Sequence, residues 1–408
     1  MMDVFAALIG QDAATTTFRR AAAEAHALVT AGRGLGNEEK AESGGTRTGA
    51  MTHAWIVTGP PGSGRLEAAR AFAAALQCRT GTGCGECDGC HTTLTGTHAD
   101  VRMVVPDGLS IAVKDMRALV MRAATAPSGG RWQVVVVSDA DRLTEGAGNA
   151  LLKAIEEPSP RTVFLLCTPS THPDDISVTI RSRCRVVPLV QARPEALAAA
   201  LAAQQGVPAD VAEWAASAAQ GDVELARRLA ADPEVRKRRE AVLAVPRKLT
   251  SVGAAFDAAS ALIEAAEAEA AALVAELDAT ERSDLERALG AGGTGRGASG
   301  AIRGAAGQLK ELEKRQKSRA TRAQRDALDR ALVDLAGFYR DVLTAQFGAP
   351  VRPVHGDTAA GARAAAGKWS AESTLRRLEA VLGCREAITL NVKPRIAVEA
   401  MMLSLWKG

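Results

Sequence analysis

Four of the seven cysteines crowd together as Cys78, Cys84, Cys87 and Cys90, a C-x5-C-x2-C-x2-C spacing. Four thiolates suit a closed, tetrahedral Zn²⁺ site, and the two short steps let the chain wrap one ion. Compact sets of four cysteines also hold iron–sulfur clusters, so that reading stands beside zinc. Gly81, Gly83, Gly85 and Gly89 supply the backbone freedom that a tight knuckle needs. His91 and His98 lie close in sequence but are not needed as ligands, and both are expected at the surface. A closed sulfur set leaves no open coordination position, so the expected role is structural.

A second pattern is Gly59-Pro60-Pro61-Gly62-Ser63-Gly64-Arg65-Leu66, placed after an apolar run and before a helical one. Glycines let backbone N–H groups curl around phosphate oxygens, and the dipole of the following helix favours an anion. The full motif, G-x-x-x-x-G-K-[ST], adds a lysine for the phosphates and a hydroxyl for Mg²⁺. Here Arg65 stands at the lysine position and Leu66 at the hydroxyl position. Arginine keeps the charge in a longer, planar group, and leucine cannot bind Mg²⁺. Nucleotide held without turnover is one reading, and a glycine-rich turn that binds nothing is the other.

The elements that must carry these groups follow from apolar periodicity. Short apolar runs at 54–58, 101–105, 132–138 and 163–167 alternate with helical patterns at 66–77, 113–125 and 144–157. Buried strand runs alternating with helices predict a parallel α/β sheet. The third run, Val134-Val135-Val136-Val137, ends in Ser138-Asp139-Ala140-Asp141, an acid at a strand tip. Beyond Pro188 the pattern is helical, with one doubtful strand run at 387–392. Breaks at Gly206-Val207-Pro208, Gly221-Asp222 and Asp232-Pro233 divide residues 193–245 into three or four short helices. Past Val252 the helices lengthen, with an expected interruption at the Gly/Ser-rich stretch 290–307. Residues 32–49 read as a polar, glycine-rich loop. The expected domains are therefore 1–188, α/β; 189–248, a small helical lid; and 249–408, an all-α domain.

Composition narrows the function class. The chain has 408 residues, 47% hydrophobic but only 3% aromatic, which suggests helices packed closely through alanine. A formal charge of +3 excludes coating nucleic acid by net charge alone. The stretch 309–330 is locally basic, with eight lysines and arginines against four acids, and reads as a solvated helix face or a surface for DNA or an acidic partner. No apolar run approaches the roughly 18 residues of a membrane span, and the start of the chain lacks the pattern of a signal peptide. A cytoplasmic address is the expectation, and in that compartment clustered cysteines point to metal before disulfides.

The order of motifs resembles the clamp-loader subunits of bacterial DNA polymerase III, members of the AAA+ ATPase class. It runs from Ile9-Gly10-Gln11 through His53-Ala54, the glycine loop and the four-cysteine insertion to Gly96-Thr97-His98-Ala99-Asp100. Then come Asn149-Ala150-Leu151-Leu152-Lys153, Glu156-Glu157-Pro158 and Ser182-Arg183-Cys184. The resemblance covers about residues 3–188, fades over the next helices and is nearly absent past Val252.

The resemblance implies several roles. Hydrolysing members end the acidic strand in Asp-Glu, whereas this chain keeps Asp139 and has Ala140 where the glutamate belongs. A G-x-x-R pattern senses nucleotide in relatives, and Gly221-Asp222-Val223-Glu224 puts an acid at the arginine position. Thr168 matches the residue that senses the γ-phosphate. The degenerate nucleotide set is thus Gly59, Gly62, Ser63, Gly64, Arg65, Leu66, Asp139 and Thr168, with no intrinsic ATP/Mg²⁺ hydrolysis expected. Arg183 is implied as an arginine finger that stabilises transition-state charge in a neighbour's ATP site. The expected partners are gamma/tau and delta subunits, the sliding clamp and primed DNA, held together by a helical collar. The alternatives are a clamp-loader ATPase active in its own right and a DNA-binding module built on the knuckle and the basic helix.

Overall fold

The computed structural model describes residues 3–35, 49–106, 108–129, 131–288 and 298–408. The described chain forms two compact units, residues 1–106 with 110–230, and residues 107–109 with 231–408.

The first unit opens with α1 (Asp12–Thr30) and continues as β1 (Ala54–Thr58), α2 (Arg65–Gln77), α3 (Asp88–Leu94), β2 (Val101–Val104) and α4 (Val113–Ala123). It then runs through β3 (Gln133–Val137), α5 (Glu145–Glu156), β4 (Thr162–Thr168), α6 (Val178–Arg181) and β5 (Arg185–Pro188). Helices α7 (Pro194–Gln205), α8 (Ala209–Ala218) and α9 (Val223–Ala231) close it. The five strands form one sheet in the order β2-β3-β4-β1-β5, and every pairing is parallel.

All residues of β1, β3 and β4 are buried, because helices cover both faces of the sheet. The two-residue period divides each strand between two cores. Trp55, Val57, Val134, Val136 and Leu165 face Phe18 of α1 and Phe72 of α2. Ile56, Val135, Val137, Phe164 and Leu166 face Met116, Leu151 and Ile155 of α4 and α5. Six alanines of α2 are buried, so this helix lies close against its neighbours. The expected α/β domain is present, with strands and helices within a few residues of the predicted ones. Strand β5 was not predicted. It is an edge strand of four residues, mostly exposed and ending in proline, so it carries no apolar run.

The second unit contains α10 (Pro233–Lys248), α11 (Val252–Ala288), α12 (Ala298–Gln346), α13 (Ala359–Ala366), α14 (Ala371–Thr389) and α15 (Pro394–Lys407). Its core gathers Leu262, Leu328, Leu332, Tyr339, Val381, Val398 and Met402. Three sequence expectations change here. The doubtful strand at 387–392 is the end of α14, where Asn391 adopts φ 67°, the left-handed conformation that stops helices. The expected interruption at 290–307 is helical from Ala298 onward, and residues 289–297 lie outside the described residues, as do 36–48 of the first glycine-rich loop. The division between the two units runs through the expected 189–248 segment: α7 and α8 lie in the first and α10 in the second.

Helices α11 and α12 run antiparallel, joined by ion pairs Arg330–Glu269, Arg319–Asp278, Arg319–Glu281 and Arg282–Glu313 at 2.8–2.9 Å. Several arginines of the basic stretch are thereby matched by acids of the facing helix. A buried polar cluster ties α10 to α12. Arg239 donates to Nδ1 of His355 at 2.9 Å and to Asp357 at 2.5 Å. His355 Nε2 donates to the Asp334 carbonyl at 2.9 Å, and Asp341 accepts the N–H groups of Val354 and His355. A methyl group on Gly337 would stand 2.5 Å from His355 Nε2, which is why α12 carries glycine there.

Candidate functional site

The glycine loop leaves the end of β1, with Gly62 and Gly64 at φ 78° and 81°, and α2 begins at Arg65. Both angles are in the left-handed region that side chains avoid. Arg65 Nη1 donates to the carbonyl of Gly59, the first residue of its own loop. Ser63 is buried. Thr168 ends β4 in register with Thr58, and its carbonyl accepts the Gly59 N–H at 3.3 Å. The Thr168 hydroxyl donates to the Ser170 carbonyl at 2.9 Å. Asp139 follows β3 and accepts from Ser138 Oγ at 2.9 Å, while the buried Ala140 starts a 3-10 turn. Burial pushes the Asp141 carboxyl up, the Asp139 charge adds to this, and Arg65 opposes it.

The sheet therefore gathers Gly59, Gly62, Ser63, Gly64, Arg65, Leu66, Asp139 and Thr168 at the carboxyl ends of β1, β3 and β4. Two residues of the closing contacts were not predicted. Gln11 Nε2 donates to the Val190 carbonyl at 2.6 Å and its oxygen accepts the Val190 N–H at 3.1 Å, so the early Ile9-Gly10-Gln11 motif ties α1 to the chain beyond β5. Asp222, at the start of α9, packs on Gly62: a methyl group there would lie 2.4 Å from its Cβ and Cγ. In the sequence Gly221-Asp222 marked a helix break and the start of the altered G-x-x-R pattern, not this contact, which lies across the fold.

Arg183 follows α6 and is 38% exposed in its side chain. Its Nη2 pairs with Glu156 Oε1 at 2.7 Å, and Nη1 donates to the Thr179 carbonyl at 3.0 Å. The Glu156-Glu157-Pro158 and Ser182-Arg183-Cys184 signatures thus meet in one contact. Burial pushes the half-buried Cys184 thiol up to about 12, so it is not a reactive thiolate. Asp100 accepts from the Ser128 N–H, the Ser128 hydroxyl and the Gly129 N–H at 2.6–2.7 Å, which accounts for that acid in the Gly96–Asp100 signature.

The four cysteines converge as expected. Cys78 follows α2, Cys87 precedes α3 and Cys90 lies within it; all four Sγ atoms are within 4.8 Å of one another. Tetrahedral bonding at about 2.3 Å per Zn–S bond requires sulfurs about 3.8 Å apart. Cys78 Sγ lies 3.7 Å from Cys84 Sγ and 4.0 Å from Cys87 Sγ. That spacing fits one ion, whereas a polynuclear cluster spreads its cysteines over several irons. Gly81, Gly83 and Gly85 have φ between 72° and 76°, so each turn of the knuckle needs glycine. Burial works against the Cys78 thiolate, yet hydrogen bonds from Thr80 and the Cys84 N–H bring its pKa down to about 5. Burial pushes the Cys90 thiol up. His91 is exposed as expected, but His98 is half-buried and accepts the Asp100 N–H at 3.1 Å.

The sheet order, the glycine loop between β1 and α2 and the acid at the tip of β3 define a domain of the AAA+ type, here with Arg65, Leu66 and Ala140 at three of its key positions. Residues 42–193 match the family described as "DNA polymerase III, delta subunit". The chain is 34% identical over 149 residues to the DNA polymerase III subunit delta' of Bacillus subtilis, covering 36% of this chain and 45% of that protein. It is 40% identical over 138 residues to the delta' subunit of Pseudomonas aeruginosa, covering 32% and 41%. To the gamma/tau subunit of Mycobacterium tuberculosis it is 35% identical over 173 residues, covering 41% and 30%. The chain spans less than half the length of these relatives. A DNA polymerase III gamma subunit-related protein of Thermotoga maritima aligns over 86% of this chain and 93% of its own, at 16% identity and a TM-score of 0.38. Over the matched stretch, residues 42–193, the chain is similar to clamp-loader subunits of DNA polymerase III.

Proposed function

We propose that this chain is a delta-prime subunit of the clamp loader that does not hydrolyse ATP itself. It helps load the sliding clamp on primed DNA and presents Arg183 to the ATP site of a gamma/tau neighbour. The observation that carries this reading is a glycine loop with Arg65, Leu66 and Ala140 beside an intact Ser182-Arg183-Cys184 turn. The chain's own loop lacks a Mg²⁺ hydroxyl and a glutamate to polarise water, while Arg183 is held at the surface by α5 and α6. A guanidinium set against a transferring phosphoryl group contributes about 10³–10⁵ in rate.

In this reading Cys78, Cys84, Cys87 and Cys90 hold a structural Zn²⁺ that fixes the fold between α2 and α3. Residues 189–248 act as lid, and 249–408 as the collar that meets gamma/tau and delta subunits. A cytoplasmic address follows from that role, and no helix among the described residues is long and apolar enough to cross a membrane. The test is steady-state ATP hydrolysis by the chain alone with Mg²⁺ and then with its gamma/tau partner. No turnover alone, with stimulation of the partner, is expected. The likeness to gamma/tau subunits, about as high as that to delta', favours a second reading, an ATPase in its own right; turnover by the isolated chain that is lost on changing Arg65 would establish it.

A further inference from the structure

We propose that Arg131 is the charge-compensating outer partner of the four-cysteine centre and that His26 orients it. The inference rests on the metal reading above. Four thiolates around one divalent cation leave a net charge of about −2, in a site where Cys78, Cys87 and Cys90 are buried. A buried charge of that size needs a counter-charge or hydrogen bonds nearby.

Arg131 supplies the charge. It enters just before β3, where burial works against its charge and the sulfurs of Cys78, Cys87 and Cys90 support it. Two contacts fix it. Its Nε donates to the Leu76 carbonyl at 3.4 Å, on the last turn of the helix that delivers Cys78. Its Nη2 lies 2.8 Å from His26 Nδ1, and because a guanidinium only donates, that imidazole nitrogen accepts and the ring proton sits on Nε2. His26 in turn packs against the knuckle: a methyl group on Gly81 would lie 2.5 Å from its Cβ and Cγ. The chain of contact therefore runs from the knuckle through His26 to Arg131 and back to the end of α2. Arg79, next to Cys78 in the chain, is exposed, whereas Arg131 is half-buried.

Outer partners of metal ligands typically change metal affinity by about 10–100-fold when removed. The experiment loads the full chain with Zn²⁺ and follows transfer of the ion to a chromogenic chelator, with Co²⁺–thiolate absorption as a second readout. Arg131→Gln should release the ion about 10–100-fold more readily, while Arg131→Lys, which keeps the charge, stays close to wild type. Equal release from wild type and Arg131→Gln overturns the inference. Equal loss in Arg131→Gln and Arg131→Lys also overturns it, because the fork and its packing would then matter rather than the charge. If wild type takes up no ion, the metal reading itself fails, a result distinct from either.

Discussion

Glu156, the last residue of α5, holds Arg183 by an ion pair of 2.7 Å. Both side chains are more than a third exposed, so the pair lies in high dielectric and adds about 0–1 kcal/mol to stability. The arrangement costs little to break, as the proposed finger role of Arg183 requires.

Arg183→Ala should therefore leave the chain folded, with its thermal midpoint almost unchanged. In the assembled complex the same change should lower ATP turnover by about 10³ or more. A normal steady-state rate from that complex would reject the finger role.

Cys87→Ser removes one of four sulfurs from a centre at the start of α3. Zinc content, measured by elemental analysis, should fall below one per chain. The first unit should melt earlier, because structural zinc contributes directly to folding energy. Full metal content with an unchanged midpoint would rule the assignment out.

His355 is buried and neutral, because protonation would set an N–H against Arg239. Burial lowers its pKa, and Arg239 adds to that effect. The unfolded chain thus binds the extra proton first, and this contribution to stability is present above about pH 6.5 and declines below it. Burial raises Asp334 to about 6, which acts in the opposite sense, so the comparison needs a variant that retains Asp334. Relative to His355→Gln, wild type should lose stability between about pH 7 and 5.5. Denaturant midpoints of the two proteins that move in parallel would refute this.

Gly337→Ala sets two effects against each other. Alanine gains about 1 kcal/mol of helix propensity over glycine, but its methyl would stand 2.5 Å from His355 Nε2. Overpacking costs typically about 1–3 kcal/mol, so the second effect should win and the variant should unfold at lower denaturant. A stabilised variant would show that the cluster shifts freely.

The sequence disclosed what depends on neighbours along the chain. The run Val134–Val137 announced β3, and the cysteine spacing announced a centre whose sulfurs do converge. The glycine loop was legible because β1, the turn and α2 are contiguous. What stayed hidden depends on distant partners. Arg185–Pro188 pairs as a strand only because β1 offers it an open edge. Gln11 meets Val190, Asp222 meets Gly62, and Arg131 meets His26, and none of these pairs leaves a local pattern. Glycine-rich composition at 298–307 argued against helix, but α12 extends through it.

The order of the sheet also bears on how the chain is made. β1, at 54–58, pairs with β4 at 162–168 and β5 at 185–188. The first strand to leave the ribosome thus waits for the last two before either edge is satisfied. At about 5–20 residues per second, that wait lasts roughly 5–30 seconds. Through that interval the apolar run Ala54–Thr58 is an open strand, the kind of segment on which nascent chains aggregate. The Gln11–Val190 pair can close only once residue 190 has emerged, so it marks the moment when α1 can first be tied to the chain beyond the completed sheet.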